Sequence, residues 1–457
     1  MDKTVSSEKG ITMKRYRRSV MIAILVMHCL RSPGLALTNE PAFEQFPFTF
    51  ITPGARAVAL GGAFIGLADD ATALGINPAG LTILTDPEVS MELRQTTYSI
   101  QQNYSNPPAH ENIDPVTGNL TTDVTRKTFD KSVENVPFLN VVYPYKQFVF
   151  ALYRQELMHY KSWHRTSSFP IFLPATYDPV TGIITTIRPT EASLDVTVTN
   201  YGLGMALQPF ERLSLAVSLQ RSHLKLISHS SVFHRDVVTN FSEDDIFLKK
   251  SIDDEDVGYS INSGVLWQLH PNISIGAVYR SGPTFTVLES VDRQQYDPDL
   301  NEFTLHIPDT FGAGLAVRPT AFLTLALDVV YIRYQDLLED FDIIVNTNVV
   351  SEENFTVDNG IEIRAGAEYI LGVGKQYLAL RGGLYYEPDH IIRFTGISKR
   401  GDPTDDIFHR TTHPGGQDQI HVTGGLGIVM NDRLQIDTAA DIAEKLMQLS
   451  VSAIYRF

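Results

Sequence analysis

Apolar and polar positions alternate with a period of two along most of this chain. Leu213, Leu215, Val217 and Leu219 alternate with Ser214, Ala216, Ser218 and Gln220. Leu323, Leu325, Leu327, Val329 and Tyr331 alternate with Phe322, Thr324, Ala326, Asp328 and Val330, and Leu434 and Ile436 with Arg433, Gln435 and Asp437. Such strands have one apolar face and one small or polar face. About fourteen segments read this way, beginning near residues 88, 131, 147, 193, 212, 256, 272, 302, 322, 359, 376, 419, 433 and 446. Most reach the roughly nine to eleven residues that a tilted strand needs to cross a membrane. Beyond the first 36 residues, no run of about eighteen apolar residues predicts a spanning helix.

The connections alternate as well. Tyr145-Lys146-Gln147, His270-Pro271-Asn272, Arg318-Pro319-Thr320 and Asn431-Asp432-Arg433 are tight turns, whereas 102–130, 161–192, 228–255, 290–301, 338–358 and 389–418 are long. Short turns on one rim and long loops on the other are the pattern of an outer-membrane barrel. Asp114-Pro115-Val116-Thr117-Gly118 recurs as Asp178-Pro179-Val180-Thr181-Gly182, the turn chemistry of loop tips. The sequence therefore predicts an all-β fold, a transmembrane antiparallel barrel of about fourteen strands over residues 88–457.

Composition refines this picture at the N-terminus. Lys14-Arg15-Tyr16-Arg17-Arg18, the apolar stretch Val20 to Leu30 and the small residues Gly34-Leu35-Ala36 predict a signal peptide over 1–36, cut after Ala36, with Met13 as an alternative start. The first 36 residues carry seven of the 37 basic and two of the 53 acidic side chains, so the remainder stands at a net charge of −21. With no basic stripe left, a nucleic-acid partner is not expected. The single cysteine, Cys29, falls within the signal. At the other end Leu449, Val451, Ala453, Tyr455 and Phe457 alternate with Ser450, Ser452, Ile454 and Arg456. Tyr455 and the terminal Phe457 resemble the signal by which barrel-assembly machinery recognises outer-membrane proteins.

Residues 37–87 break the alternation. Phe43, Phe46, Phe48 and Phe50 form an aromatic cluster, followed by a stretch rich in glycine and alanine with short helical turns, where Asp69 or Asp70 is placed to cap. Small residues let backbone approach backbone, which suits a plug inside a narrow barrel. The run Gly54-Ala55-Arg56-Ala57, Leu60-Gly61-Gly62-Ala63-Phe64, Ala68-Asp69-Asp70-Ala71 and Asn77-Pro78-Ala79-Gly80-Leu81 resembles the N-terminal hatch of the long-chain fatty-acid and aromatic-hydrocarbon transporter family. Weaker likeness continues at Gly258-Tyr259-Ser260-Ile261-Asn262-Ser263-Gly264, Ile307-Pro308-Asp309-Thr310 and Tyr455-Arg456-Phe457.

The resemblance implies a hatch-plugged monomeric barrel in the bacterial outer membrane, among lipid and lipopolysaccharide. It would capture a hydrophobic small molecule and release it sideways past a kinked third strand. It also implies that Asn77, Pro78 and Ala79, with Gly61, Gly62, Phe64, Asp69 and Asp70, form the gate. The third strand, Phe148-Val149-Phe150-Ala151-Leu152-Tyr153-Arg154, lacks the glycine expected to ease such a kink.

If apolar faces meet lipid, the inward sets include Gly276, Gly312, Gly314, Gly366, Gly383, Gly425 and Gly427, leaving room for the hatch or easing curvature. Inward charges include Arg280, Arg364, Arg381, Glu362, Asp328 and Asp437. Phe43, Phe46 and Phe48 are candidate substrate contacts; Arg364 or Arg381 is placed to meet a carboxylate, or else pairs with neighbouring acids. His223, His229 and His234 lack metal-ligand spacing, and no catalytic or dinucleotide motif occurs, so neither metal, cofactor nor enzymatic activity is expected. A scaffold or shuttle for secreted proteins is the alternative to transport.

Overall fold

The computed structural model describes residues 46–103, 111–113, 120–122, 126–172, 183–234, 241–293, 298–339, 343–345, 348–350, 355–373, 376–395, 413 and 415–457. The expected signal, Phe43 and the two Asp-Pro-Val-Thr-Gly loop tips lie outside them. Fourteen strands form the wall. They are β1 (Glu88–Asn103), β2 (Arg126–Tyr145), β3 (Phe148–Thr166), β4 (Thr190–Phe210), β5 (Leu213–Phe233), β6 (Ile246–His270) and β7 (Ile273–Arg280). The other seven are β8 (Thr310–Val317), β9 (Leu323–Ile332), β10 (Gly360–Val373), β11 (Gln376–Glu387), β12 (Gln419–Met430), β13 (Leu434–Ile442) and β14 (Leu446–Arg456). Each pairs antiparallel with its chain neighbour, and β1 pairs with β14 from Glu88↔Arg456 to Tyr98↔Leu446, which closes the barrel.

The side-chain pattern is inside out relative to a water-soluble protein. On β9, Thr324, Ala326, Asp328, Val330 and Ile332 are buried, while Leu325, Leu327, Val329 and Tyr331 are exposed. Apolar surface on the outside is stable only against lipid. Exposed aromatic residues ring both ends of this belt: Tyr143, Trp267, Tyr369 and Tyr455 near the short turns, and Tyr201, Tyr259, Phe311 and Tyr331 toward the long loops. Trp267 and Tyr259 lie eight residues apart on β6, about 27 Å of strand, which matches a tilted hydrocarbon span. The tight turns follow local chemistry: Asn431 and Asp432 both adopt left-handed φ, 52° and 57°, in the three-residue turn between Met430 and Leu434, where the Arg433 N–H closes on the Met430 carbonyl at 3.2 Å.

Two strand boundaries differ from expectation. The alternating segment near 302 is not wall. Asp299–His306 pairs with Thr284–Arg293 as a hairpin, whose first strand adds to β6 between Leu248 and Ile252. Pro308 interrupts the alternation, having no N–H for a ladder, and Asp309 folds back to accept the Gly282 N–H at 2.8 Å. The wall resumes at Thr310. β6 begins at Ile246, ten residues before its expected start, because the same hairpin supports its extension past the rim. Phe285, Val287 and Leu305 of the hairpin join an apolar cluster with Leu194, Val196, Leu224 and Ile252.

Candidate functional site: the lumen segment and a break in the wall

Residues 46–87 cross the barrel interior. A five-residue helix, α1 (Ala55–Ala59), and two 3-10 turns, Ala71–Gly75 and Pro78–Ile83, leave most backbone groups without local partners. Inward side chains of the wall supply them. Glu92 of β1 accepts the Gly54 N–H at 2.7 Å, and Asp328 of β9 accepts those of Phe64 and Ile65, both at 2.7 Å. Ser274 of β7 donates to the Gly66 carbonyl, Asn140 of β2 to Ala71, and Thr423 of β12 to Ala59. Irregular backbone is thus tolerated at membrane depth because the lumen is built to satisfy it.

An ion-pair network fixes α1. Arg56 reaches Glu368 of β10 through Nε and Nη2, both at 2.9 Å, and through Nη1 meets Asp69 at 2.6 Å and Asp70 at 3.0 Å. Burial alone would lower the proton affinity of Arg56; Asp69, Glu368 and Asp70 outweigh it and hold the guanidinium firmly charged. Burial raises the Asp70 carboxyl above its ordinary range against the pull of Arg56. Asp70, rather than Asp69, caps the turn that follows, accepting the Thr72 N–H at 2.9 Å. Asp69 instead bridges Arg56 and Arg318.

The sequence-selected residues fall into three groups. Gly61 and Gly62 take left-handed φ of 65° and 74° and turn the chain after α1, and Phe64 is fully buried. Asn77 is also fully buried. Its Nδ2 donates to the carbonyls of Ile65 at 2.8 Å and Val265 at 3.1 Å, its Oδ1 accepts the Ala79 N–H, and Pro78 opens the turn. Phe46 and Phe48 pack edge to face, Phe46 also against Tyr160 of β3. Arg381 lies between Glu368 and Asp437, at 2.6 and 2.7 Å, and Arg364 is paired with Glu362.

Asn77 makes a sharp prediction. Asn77→Asp replaces the donor with an anion facing two carbonyls, whereas Asn77→Ala only removes it. The buried carbonyls left unpaired cost about 1–3 kcal/mol each, more when a charge is added. Asn77→Asp should therefore expose the segment to protease more than Asn77→Ala does; equal sensitivity would contradict this role.

The wall itself is broken at one place. The β2–β3 ladder runs from Tyr145↔Phe148 only to Phe138↔Gln155. Beyond it, β2 continues along β1 and β3 along β4. Both strands bulge at this point: Val136 and Pro137 together face Leu93, and Leu157 is an extra residue between Glu156 and Met158. Proline cannot donate to a ladder and each bulge bends its strand, so the two diverge. Side chains span the cleft. Glu156 of β3 accepts from Asn135 of β2, Arg154 of β3 donates to the Val136 carbonyl of β2, and Phe129 of β2 packs edge to face on Trp163 of β3, while Tyr98 reaches the His159 carbonyl from β1 at 2.8 Å. Sequence reasoning sought a glycine in β3; the available signal was Pro137, a proline within a strand.

Two cavities adjoin the segment. One, small and open to one side, faces the long loops among Pro47, Ile100, Tyr160, Pro388, Ile391 and Lys445. The other, also small, lies between Thr49–Thr52, Gly61, Gly62 and the wall residues Arg94, Glu362, Arg364, Tyr385, Glu387 and Asp441. Tyr98 lines both. Ile51 lines the inner cavity and donates its N–H to the Leu157 carbonyl, at the β3 bulge, at 2.9 Å.

No family model matches the sequence, and no curated protein does. Solved structures do match. A Pseudomonas aeruginosa FadL homologue aligns over 93% of this chain and 100% of its own at 12% identity, with a TM-score of 0.57. The Ralstonia pickettii toluene transporter TbuX aligns over 90% and 100% at 14% identity with a TM-score of 0.54, and the CymD monoaromatic hydrocarbon channel over 90% and 99% at 12% with 0.54. At these identities the likeness speaks for architecture: the chain is a fourteen-stranded transmembrane β-barrel with the fold of the FadL-type transporters and hydrocarbon channels.

Proposed function

We propose that this protein is a non-enzymatic outer-membrane channel for hydrophobic small molecules. The rim of long loops faces outward and the short turns face the periplasm. A molecule enters the outer cavity, passes the aromatic segment of residues 46–52 into the inner cavity, and leaves sideways through the cleft between β2 and β3. The position of Ile51 carries this reading, since one residue borders the cavity and holds the strand bulge at the break. Lateral exit also follows from the energetics of an apolar cargo. Each CH2 group kept out of water is worth about 0.8 kcal/mol, so a path ending in lipid is downhill where one ending in periplasmic water is not. The solved proteins of this fold named as toluene transporters and a monoaromatic hydrocarbon channel support an apolar cargo. The contacts of Arg56 and of Asp328 hold residues 46–87 in place as the hatch while the segment at Ile51 moves.

The cleft can be tested directly. Asn135→Cys and Glu156→Cys place thiols on its two sides, where the native side chains already meet. Joining them with a short cleavable bifunctional thiol reagent should abolish uptake of a labelled apolar compound, and reduction should restore it. Undiminished uptake with the cleft locked would exclude the lateral route.

A further inference from the structure

The inner cavity has a charge arrangement that bears on what it admits, and the inference rests on the transport reading above. Two arginines line it, and both are engaged. Arg94 donates through Nε to Glu92 at 3.0 Å and through Nη2 to the Thr52 carbonyl at 2.6 Å, and Arg364 donates through Nε to Glu362 at 2.9 Å. Arg280, deeper in the lumen, is turned to the Gly75 carbonyl.

Two acids remain on the cavity wall, Glu387 and Asp441, facing each other across one imidazole. His421 sits fully buried with Nε2 3.0 Å from Glu387 and Nδ1 2.9 Å from Asp441, its ring stacked 3.9 Å from that of Tyr385. Thr49 donates to Glu387 at 3.0 Å and Tyr385 to Asp441 at 3.0 Å. Both imidazole nitrogens face carboxylate oxygens, so the trio carries one net negative charge with the ring protonated and two without. In either state, the described lining residues offer no cation free of an acid partner.

We propose that the inner cavity selects for uncharged ligands and rejects carboxylates: hydrocarbons and their neutral derivatives pass, while free fatty acids and aryl-alkanoates do not. An anion entering it would leave water, meet no unpaired donor charge, and approach Glu387 and Asp441 in a medium of low dielectric. The outer cavity, which has Lys445 in its lining, imposes no such barrier. Selection therefore lies beneath the segment Thr49–Thr52.

A matched ligand set tests this on the purified full chain in detergent. Butylbenzene, 4-phenylbutyrate and its methyl ester share one apolar body and differ in charge. Displacement of a neutral fluorescent hydrocarbon probe at pH 7 should rank butylbenzene and the ester together, with the carboxylate weaker by roughly a hundred-fold or more, the scale of an unpaired buried charge. Glu387→Gln, checked for barrel folding by heat-modifiable gel migration, should narrow that gap. A carboxylate that binds as tightly as its ester overturns the inference and leaves the transport reading standing. If none of the three displaces the probe, the transport reading fails and this inference with it.

Discussion

Arg56→Ala should release the lumen segment from a barrel that still folds. Arg56 neutralises Asp70 and shares Glu368 with Arg381, and both acids are almost fully buried. Removing one partner of such a network leaves charge in low dielectric without compensation, a loss of about 3–5 kcal/mol. No comparable change falls on the wall, whose strands are held by their own ladders, interrupted between β2 and β3. The variant should keep its heat-modifiable gel migration, yield to protease within 46–87, and conduct ions in planar bilayers where the wild type is closed. Arg56→Lys should fall between the two, because one ammonium cannot match the forked geometry that reaches three carboxylates. Protease resistance equal to the wild type would show that the segment is held by packing alone.

Gly383→Val should have a similar outcome by a steric route, and its neighbour provides the control. A Cβ at Gly383 would lie 2.3 Å from the Gly61 nitrogen and 2.4 Å from the Leu60 carbonyl carbon. These are backbone atoms and cannot turn aside. Overpacking of an ordinary core costs about 1–3 kcal/mol, and here the only relief is displacement of the segment. A Cβ at Gly382, one residue away on the opposite face of β11, would meet only the Thr423 carbonyl at 3.9 Å. Gly382→Val should therefore behave as wild type in the same protease and conductance assays. If the two substitutions prove equivalent, close backbone approach is not what seats the segment.

Much of this architecture was legible in residue order because a barrel wall imposes a period of two that nothing else disturbs. The tight turns could be placed from Lys146, Pro271, Pro319 and Asn431-Asp432 for the same local reasons that form them. The segment near 302 misled because a hairpin packed on a cluster alternates as a wall strand does; only Pro308 marks the difference. The lumen glycines were readable as positions, and their meaning emerged from what they face: Leu60 against Gly366, Gly61 against Gly383, Ile65 against Gly276. Charge partners were beyond reach. Arg56 and Glu368 stand 312 residues apart, and Glu387, His421 and Asp441 sit on three different strands, joined only by the register of the sheet. The cleft was missed because glycine was taken as the sole mark of a bent strand, when the Pro137 bulge in β2 and the Leu157 bulge in β3 separate the two strands together.

The lumen segment runs from end to end. Pro47 lies beside Ile100 and Lys445 near the long-loop rim, and the segment leaves at Pro87, whose carbonyl accepts the Phe457 N–H at the opposite rim. Polypeptide fused ahead of residue 46 would consequently begin at the long-loop mouth of the pore, above the outer cavity. An affinity tag there would sit over that cavity. The same geometry makes the leading end of the segment an attachment point for a reporter dye that reads the outer cavity directly.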